Sequence, residues 1–297
     1  MTSSVRYRVS HTTFYDYDHP IGSGRHLAHL SPRETAWQRV ESHTIVINPP
    51  ANEQSDGIDY FGNPVVRFAH DSPHRTLRVQ AESLVAVNSQ TGDWTATPWE
   101  PLTRDGASIL HADDPALTEF RLASPHVPIV AAAAAYVRAS FPAARPLPEA
   151  LTHLCGRMRR EFAYDPLATT IATPVADVAR NRRGVCQDFA HFLLSGLRGL
   201  GFAARYVSGY IVNVRAKDAA PDTTDAVQGA DSSHAWVAVH AGGDAWIGCD
   251  PTNGKLADTE FVTLGWGRDF GDVTPLRGVV LGAGTRAPEV AVRVDRL

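Results

Sequence analysis

"RRGVCQDFAHFLLSGLRGLGF", Arg182–Phe202, is the stretch on which the fold turns, because it sets a cysteine after a glycine and directly before an apolar helix. Counting from Cys186, the residues Phe189, Ala190, Leu193, Leu194 and Leu197 recur at helical spacing, the stripe of a helix buried on one face. Cys186 is in phase with this stripe and falls in the first turn. There, unpaired backbone N–H groups and the helix dipole favour an anion and lower a thiol pKa. Two readings stay open on these residues alone. Cys186 is either a small core hydrophobe, as free cysteines commonly are, or a nucleophile activated by the helix start.

A thiol nucleophile needs a base, and the base needs an orienting group. With thirteen histidines in the chain, supply alone decides nothing. His191 lies five residues along the same helix, about 140° round from Cys186, and is expected to pack rather than react. His234 is the better candidate. It opens the strand-like "SHAWVAVHA" (Ser233–Ala241), which "AGGD" joins to "DAWIGCDPT" (Asp244–Thr252) as a hairpin. A two-residue tip at Gly242–Gly243 sets His234 opposite Pro251. One register step, or a bulge at the proline, brings Asp250 opposite instead, within reach of the imidazole. His240, near the tip, is expected to be solvated. Trp236 and Trp246 are expected to pack the hairpin.

Working outward, the first third is β-rich. "VRYRVSHTTFYDY" (Val5–Tyr17), "ESHTIVINPP" (Glu41–Pro50), "DYFGNPVVRFAHD" (Asp59–Asp71) and "TLRVQAESLVAVN" (Thr76–Asn88) alternate or carry strand residues bounded by turn formers. They predict a small antiparallel sandwich or barrel. Its histidines His11, His19, His26 and His29 are expected at the surface. Residues 88–108 are polar and turn-rich, a connection. Helical patterns follow over Pro125–Phe141, Pro148–Phe162 and the segment capped by Thr173–Pro174 and closed by Gly184. Strand patterns return at Ala204–Val214 and in the hairpin, and "PEVAVRVDRL" (Pro288–Leu297) could join either sheet. The fold class expected is therefore α+β. An N-terminal antiparallel β domain (1–115) precedes a core of helices packed on an antiparallel sheet, with a C-terminal strand (116–297).

Composition narrows the function. The 297 residues carry a formal net charge of −4 with scattered arginines, which gives no basic patch for nucleic acid or an anionic membrane. Cys155, Cys186 and Cys249 form no CxxC pair and no disulfide framework. The N-terminus lacks a signal-like apolar run, and no stretch approaches the ~18 apolar residues of a membrane span. The expectation is a cytoplasmic protein. A zinc site built on Cys186, His191 and His234 is rejected, since Cys186 and His191 face different ways, and no cofactor is expected.

The ordered set "GVCQDFAHFLLSGLRGLGFAARYVSGYI" and "SHAWVAVHAGGDAWIGCDPTNG" resembles the bacterial transglutaminase-like proteins of the papain-like Cys-His-Asp superfamily. "HTTFYDYDHPI", "HLSPRETAWQ" and "DYFGNPV" resemble the β-rich region attached to such cores, and "WGRDFGDVTPLRGVV" the segment that follows the aspartate. The resemblance implies Cys186 as nucleophile, His234 as general base and Asp250 as the group orienting it. The implied fold has the nucleophile at the N-terminus of a central helix on an antiparallel sheet. Cys249, one residue before Asp250, is then expected in the core, as is Cys155.

The implied chemistry is acyl transfer from an amide of a protein or peptide substrate through a thioester, ending in a new amide, deamidation or proteolysis. Alternatives are a cysteine peptidase or amidase without transferase activity, and a non-catalytic scaffold. The Cys186 N–H is one oxyanion donor, and Tyr164 in "EFAYDP" is a candidate second. Asp188 is expected to serve the helix N-terminus. The polar linker 215–233 is expected to form a flap over the site. Animal members of the superfamily use calcium, yet no EF-hand loop or comparable carboxylate cluster is present here.

Overall fold

A computed structural model describes residues 4–89, 97–103, 115–212, 233–282 and 287–297. Residues 215–232 of the linker expected to form a flap, and most of the 88–108 connection, lie outside the described residues.

The N-terminal region is a β-sandwich. β1 (Val5–Ile21), β3 (Gln38–Asn48) and β6 (His74–Val87) join β15 (Glu289–Arg296) in a sheet of order β15-β1-β6-β3. β2 (Ser23–Ala28), β4 (Glu53–Ile58) and β5 (Pro64–His70) join β14 (Leu276–Leu281) in the order β14-β2-β5-β4. Alternation sends Tyr17, Ile47, Leu77 and Val79 from one sheet and Ala28, Val66, Phe68 and Leu276 from the other into a shared core. The C-terminal strand, open between two sheets in the sequence, therefore adds to β1, from Tyr7↔Arg296 to Phe14↔Glu289.

The histidines of this region depart from expectation. His11, His26 and His29 are buried, and of the four only His19 is exposed. His11 shares the inward parity of Tyr7 and Val9 on β1. It is buried because the Tyr210 hydroxyl and Thr13 satisfy its ring nitrogens at 2.9 and 3.0 Å.

The core follows. After a helical turn, α1 (Pro115–Thr118), come α2 (Ala131–Arg138), α3 (Leu147–Glu161), α4 (Val175–Asn181) and α5 (Cys186–Gly199). The helix expected over 125–141 is shorter, because Ser124 and Val127 bridge to each other ahead of α2. α4 begins after Pro174 rather than being capped by Thr173, whose hydroxyl instead accepts from Thr170 N, and left-handed Arg182 ends it ahead of Gly184. β7 (Ala163–Tyr164) and β8 (Arg183–Gly184) form a short parallel pair that leads into α5.

The core sheet has the order β12-β11-β10-β9-β13, built from β9 (Ala204–Ile211), β10 (His234–His240), β11 (Trp246–Asp250), β12 (Lys255–Leu256) and β13 (Phe261–Gly267). Tyr206, Ala235, Val237, Val239 and Cys249 on one face pack against the helices. α5 is buried on every side over Asp188–Arg198, not on one face as its stripe alone predicts. Its polar positions are satisfied inside: Ser195 donates to the Pro128 carbonyl and accepts from Val130 N, and Arg198 donates to the carbonyls of Phe120, Ala204 and Arg268.

The motifs of the N-terminal region join the two parts. Gln38 exchanges hydrogen bonds with both backbone groups of Thr263 on β13. Asn63 does the same for Trp266, while Asp59 holds Asn63. Among the described residues no helix is long and apolar enough to cross a membrane.

Candidate active site

The chain reaches α5 through a turn that only glycine makes well. Gly184 has φ of 153°, and a Cβ there would lie 2.5 Å from Asp188 Oδ2 and 2.9 Å from the Asp188 Cβ. The space goes to the Asp188 carboxylate, which folds back to accept from Val185 N (2.8 Å) and from Thr169 Oγ1 (2.6 Å). Burial raises the Asp188 pKa against these hydrogen bonds. Asp188 thus serves the helix start, as expected, by capping the N–H of Val185.

His234 and Asp250 meet, by a register other than the one read from the sequence. The β10–β11 loop spans five residues, closed by Ala241 N to Ala245 O and turned by positive φ at Gly242 and Gly243. The ladder runs from His240↔Trp246 to Val237↔Cys249 and stops, while Asp250 pairs with Lys255 on β12. His234 and Asp250 are therefore diagonal neighbours on one face, and His234 Nε2 donates to Asp250 Oδ2 at 2.8 Å. The neighbouring Cys249 points to the opposite face, into the helix-packed core, and Cys155 is buried beside it. His240 is buried rather than solvated, donating to the Gly243 carbonyl at 2.8 Å.

Both partners of the His234–Asp250 pair have side chains shut off from solvent. Asp250 is fully saturated: besides His234 it accepts from Asn253 Nδ2 (2.8 Å), Thr252 N (2.8 Å) and Asn253 N (3.2 Å). Burial opposes its charge, yet the imidazole and these donors hold its pKa below the ordinary carboxylate value. For His234, burial also opposes the charged form, but the Asp250 carboxylate and the Cys186 sulfur outweigh it and push the imidazole up to about 10. Trp236 lies two residues along the strand with its ring 25° from parallel to the imidazole, and Phe261 borders the same ring.

The other ring nitrogen, Nδ1 of His234, is buried, and the Cys186 sulfur acts on the ring. His234 and Cys186 line one cavity of about 360 Å³ with Tyr164, Tyr206, Ser208 and Phe270. Burial, with the Cys186 sulfur adding, pushes Tyr164 up to about 12, so its hydroxyl keeps its proton. Burial likewise raises Tyr206. The structure thus brings together Cys186, His234, Asp250 and Tyr164, the four residues singled out in the sequence. His191 stays apart, buried and accepting from Phe270 N. Sequence reasoning passed over Asn253 and Tyr206. The first was legible as an Asx-type turn residue in "DPTNG", while the second sat unmarked in a fully buried strand.

A larger hollow of about 650 Å³ lies on the β14-β2-β5-β4 sheet, but no cysteine lines it. Among the described residues no group of three or more His, Cys, Asp or Glu side chains is arranged to hold a metal ion.

Residues 7–86 match the bacterial transglutaminase-like N-terminal region, and residues 134–251 match the transglutaminase-like superfamily. An "Uncharacterized protein" of Mycobacterium tuberculosis is 37% identical over 289 residues, covering 94% of this chain and 89% of the relative. Another, of Mycobacterium leprae, is 32% identical over 296 residues, covering 98% and 99%. A crystal structure from Cytophaga hutchinsonii, described as a "Putative Cysteine Protease", superposes with a TM-score of 0.75 at 18% identity, over 100% of this chain and 92% of that one. The sandwich, the helix-start cysteine and these matches all agree: the chain belongs to the transglutaminase-like superfamily.

Proposed function

We propose that the protein is a cysteine enzyme that takes an acyl group from an amide of a protein or peptide through a thioester on Cys186. The observation that carries this reading is the buried His234–Asp250 pair, with His234 acted on by the Cys186 sulfur and lining the same cavity as Cys186. An imidazole held up to about 10 is an imidazolium at neutral pH. A positively charged imidazole beside the sulfur is the partner that a Cys186 nucleophile needs, at a helix start whose N–H groups favour an anion.

Cys186 Sγ attacks the amide carbonyl carbon, and the oxygen takes the negative charge. The backbone N–H of Cys186 and the Tyr164 hydroxyl are the donors for that oxyanion. As the C–N bond breaks, Nδ1 of His234 hands its proton to the departing ammonia or amine, leaving a thioester. An incoming amine or water then gives a proton back to His234 as it attacks, and the thiolate leaves. Asp250 stays ionised throughout and fixes the ring, with Asn253 holding the carboxylate in place.

Iodoacetamide labelling followed by mass spectrometry tests the first step. Cys186 is expected to react rapidly at pH 6–7, where an ordinary thiol is protonated, and to lose that advantage in His234→Ala. An ordinary thiol profile, rising only above pH 8, would remove the basis for the enzyme reading. A glutamine-containing peptide incubated with and without a fluorescent primary amine then separates transfer from hydrolysis.

A further inference from the structure

Arg205, on β9, is buried at 6% exposure with its guanidinium between two indoles, its Cζ 4.1 Å from the Trp246 ring and 3.7 Å from the Trp266 ring. Its Nε makes no hydrogen bond. No carboxylate answers it among the described residues. The charged group that acts on it is Arg33, a second cation, lying 3.6 Å from the far side of Trp266. Arg33 is occupied by the Phe61 carbonyl and Asn63 Oδ1, and it offers Arg205 only repulsion. A buried cation without a counter-charge is costly, and proteins rarely keep one.

Beside Arg205 lies a cavity of about 20 Å³, walled by Trp37, Trp236, Trp246, Trp266 and Gly248. That volume admits one occupant of roughly water size and excludes a phosphate or a carboxylate-bearing molecule.

We infer that this cavity is a halide site, in which a chloride-sized anion sits against Arg205 and supplies the missing counter-charge. The site is on the face of the core sheet away from α5, sharing Trp236 with the wall of the His234–Asp250 pair.

Thermal unfolding of the full chain in sodium chloride, against sodium gluconate at equal ionic strength, tests the inference. Gluconate is too large for the cavity, so a saturable rise in Tm is expected with chloride alone. Arg205→Met is expected to abolish the difference between the two salts. Should that variant not fold, crystals grown in sodium bromide supply the second measurement, with an anomalous peak expected in contact with the Arg205 guanidinium. Equal Tm values in the two salts, which is the behaviour of a cavity holding water, would overturn the assignment. So would a chloride preference that survives in Arg205→Met, or bromide crystals with no peak at Arg205.

Discussion

Asp250 accepts four hydrogen bonds in a site with no access to water, and three of the four come from its own turn, Thr252 and Asn253. The carboxylate would be in place whatever His234 did, so it acts on the imidazole as a fixed charge. Asp250→Asn keeps the size and one acceptor while removing the charge. Burial, the largest influence on His234, is then opposed mainly by the Cys186 sulfur, and its pKa falls from about 10. Cys186 labelling at pH 6–7 is expected to drop, and any amide turnover to fall on the order of 10³–10⁴-fold, with circular dichroism unchanged. Labelling that kept its wild-type pH profile in this variant would show that Asp250 does not set the charge state of the pair.

At the scale of elements, the first turn of α5 is fixed by what glycine lets its neighbours do. Gly184→Ala places a methyl in the space of the Asp188 carboxylate at a backbone φ that side chains avoid. The expected cost is about 1–3 kcal/mol from strain, with the cap lost in addition. Denaturant unfolding measures the stability, and slower Cys186 labelling in the surviving folded protein reports the displaced helix start. Gly196 has a comparable role farther along. A Cβ there would meet Val137 and lie 2.7 Å from the Ala133 carbonyl, so the alanine-rich α2 and Gly196 belong to one close helix crossing. The sequence displayed this element clearly, since the apolar spacing after Cys186 needs only helical geometry. The β10–β11 register was not legible, because a five-residue loop with two left-handed glycines cannot be told from a two-residue tip by composition. Burial of His11 was legible in principle, as it keeps the parity of Tyr7 and Val9. The Tyr210 hydroxyl that makes burial tolerable comes from 199 residues away.

For the molecule as a whole, buried histidines set the response to acid. Burial, the largest influence at each, holds His11, His26 and His191 near 4, against an ordinary value of 6.5. His70 and His74 add to the effect at His26. The unfolded chain therefore takes up protons before the folded one does. Stability present above pH 6.5 is lost as the pH falls towards 4, by about 1–3 kcal/mol for each histidine. His234 runs the other way: its raised pKa contributes stability that is complete below 6.5 and fades as the pH climbs towards 10. The denaturant midpoint is thus expected to peak near neutrality and to fall steeply between pH 6.5 and 4. His11→Gln should reduce that acid slope, and a midpoint flat from pH 7 to 4.5 would contradict the burial of these rings as uncharged groups.

β14 and β15 follow the helices and core sheet in the chain, yet they complete the two sheets that precede them. On a ribosome, β1 and β2 must wait with open edges until every helix and strand carrying Cys186, His234 and Asp250 has been made. A chain interrupted after β13 would keep Cys186, His234 and Asp250 and still present two unpaired, aggregation-prone edges, so quality control acting on exposed strands would remove it.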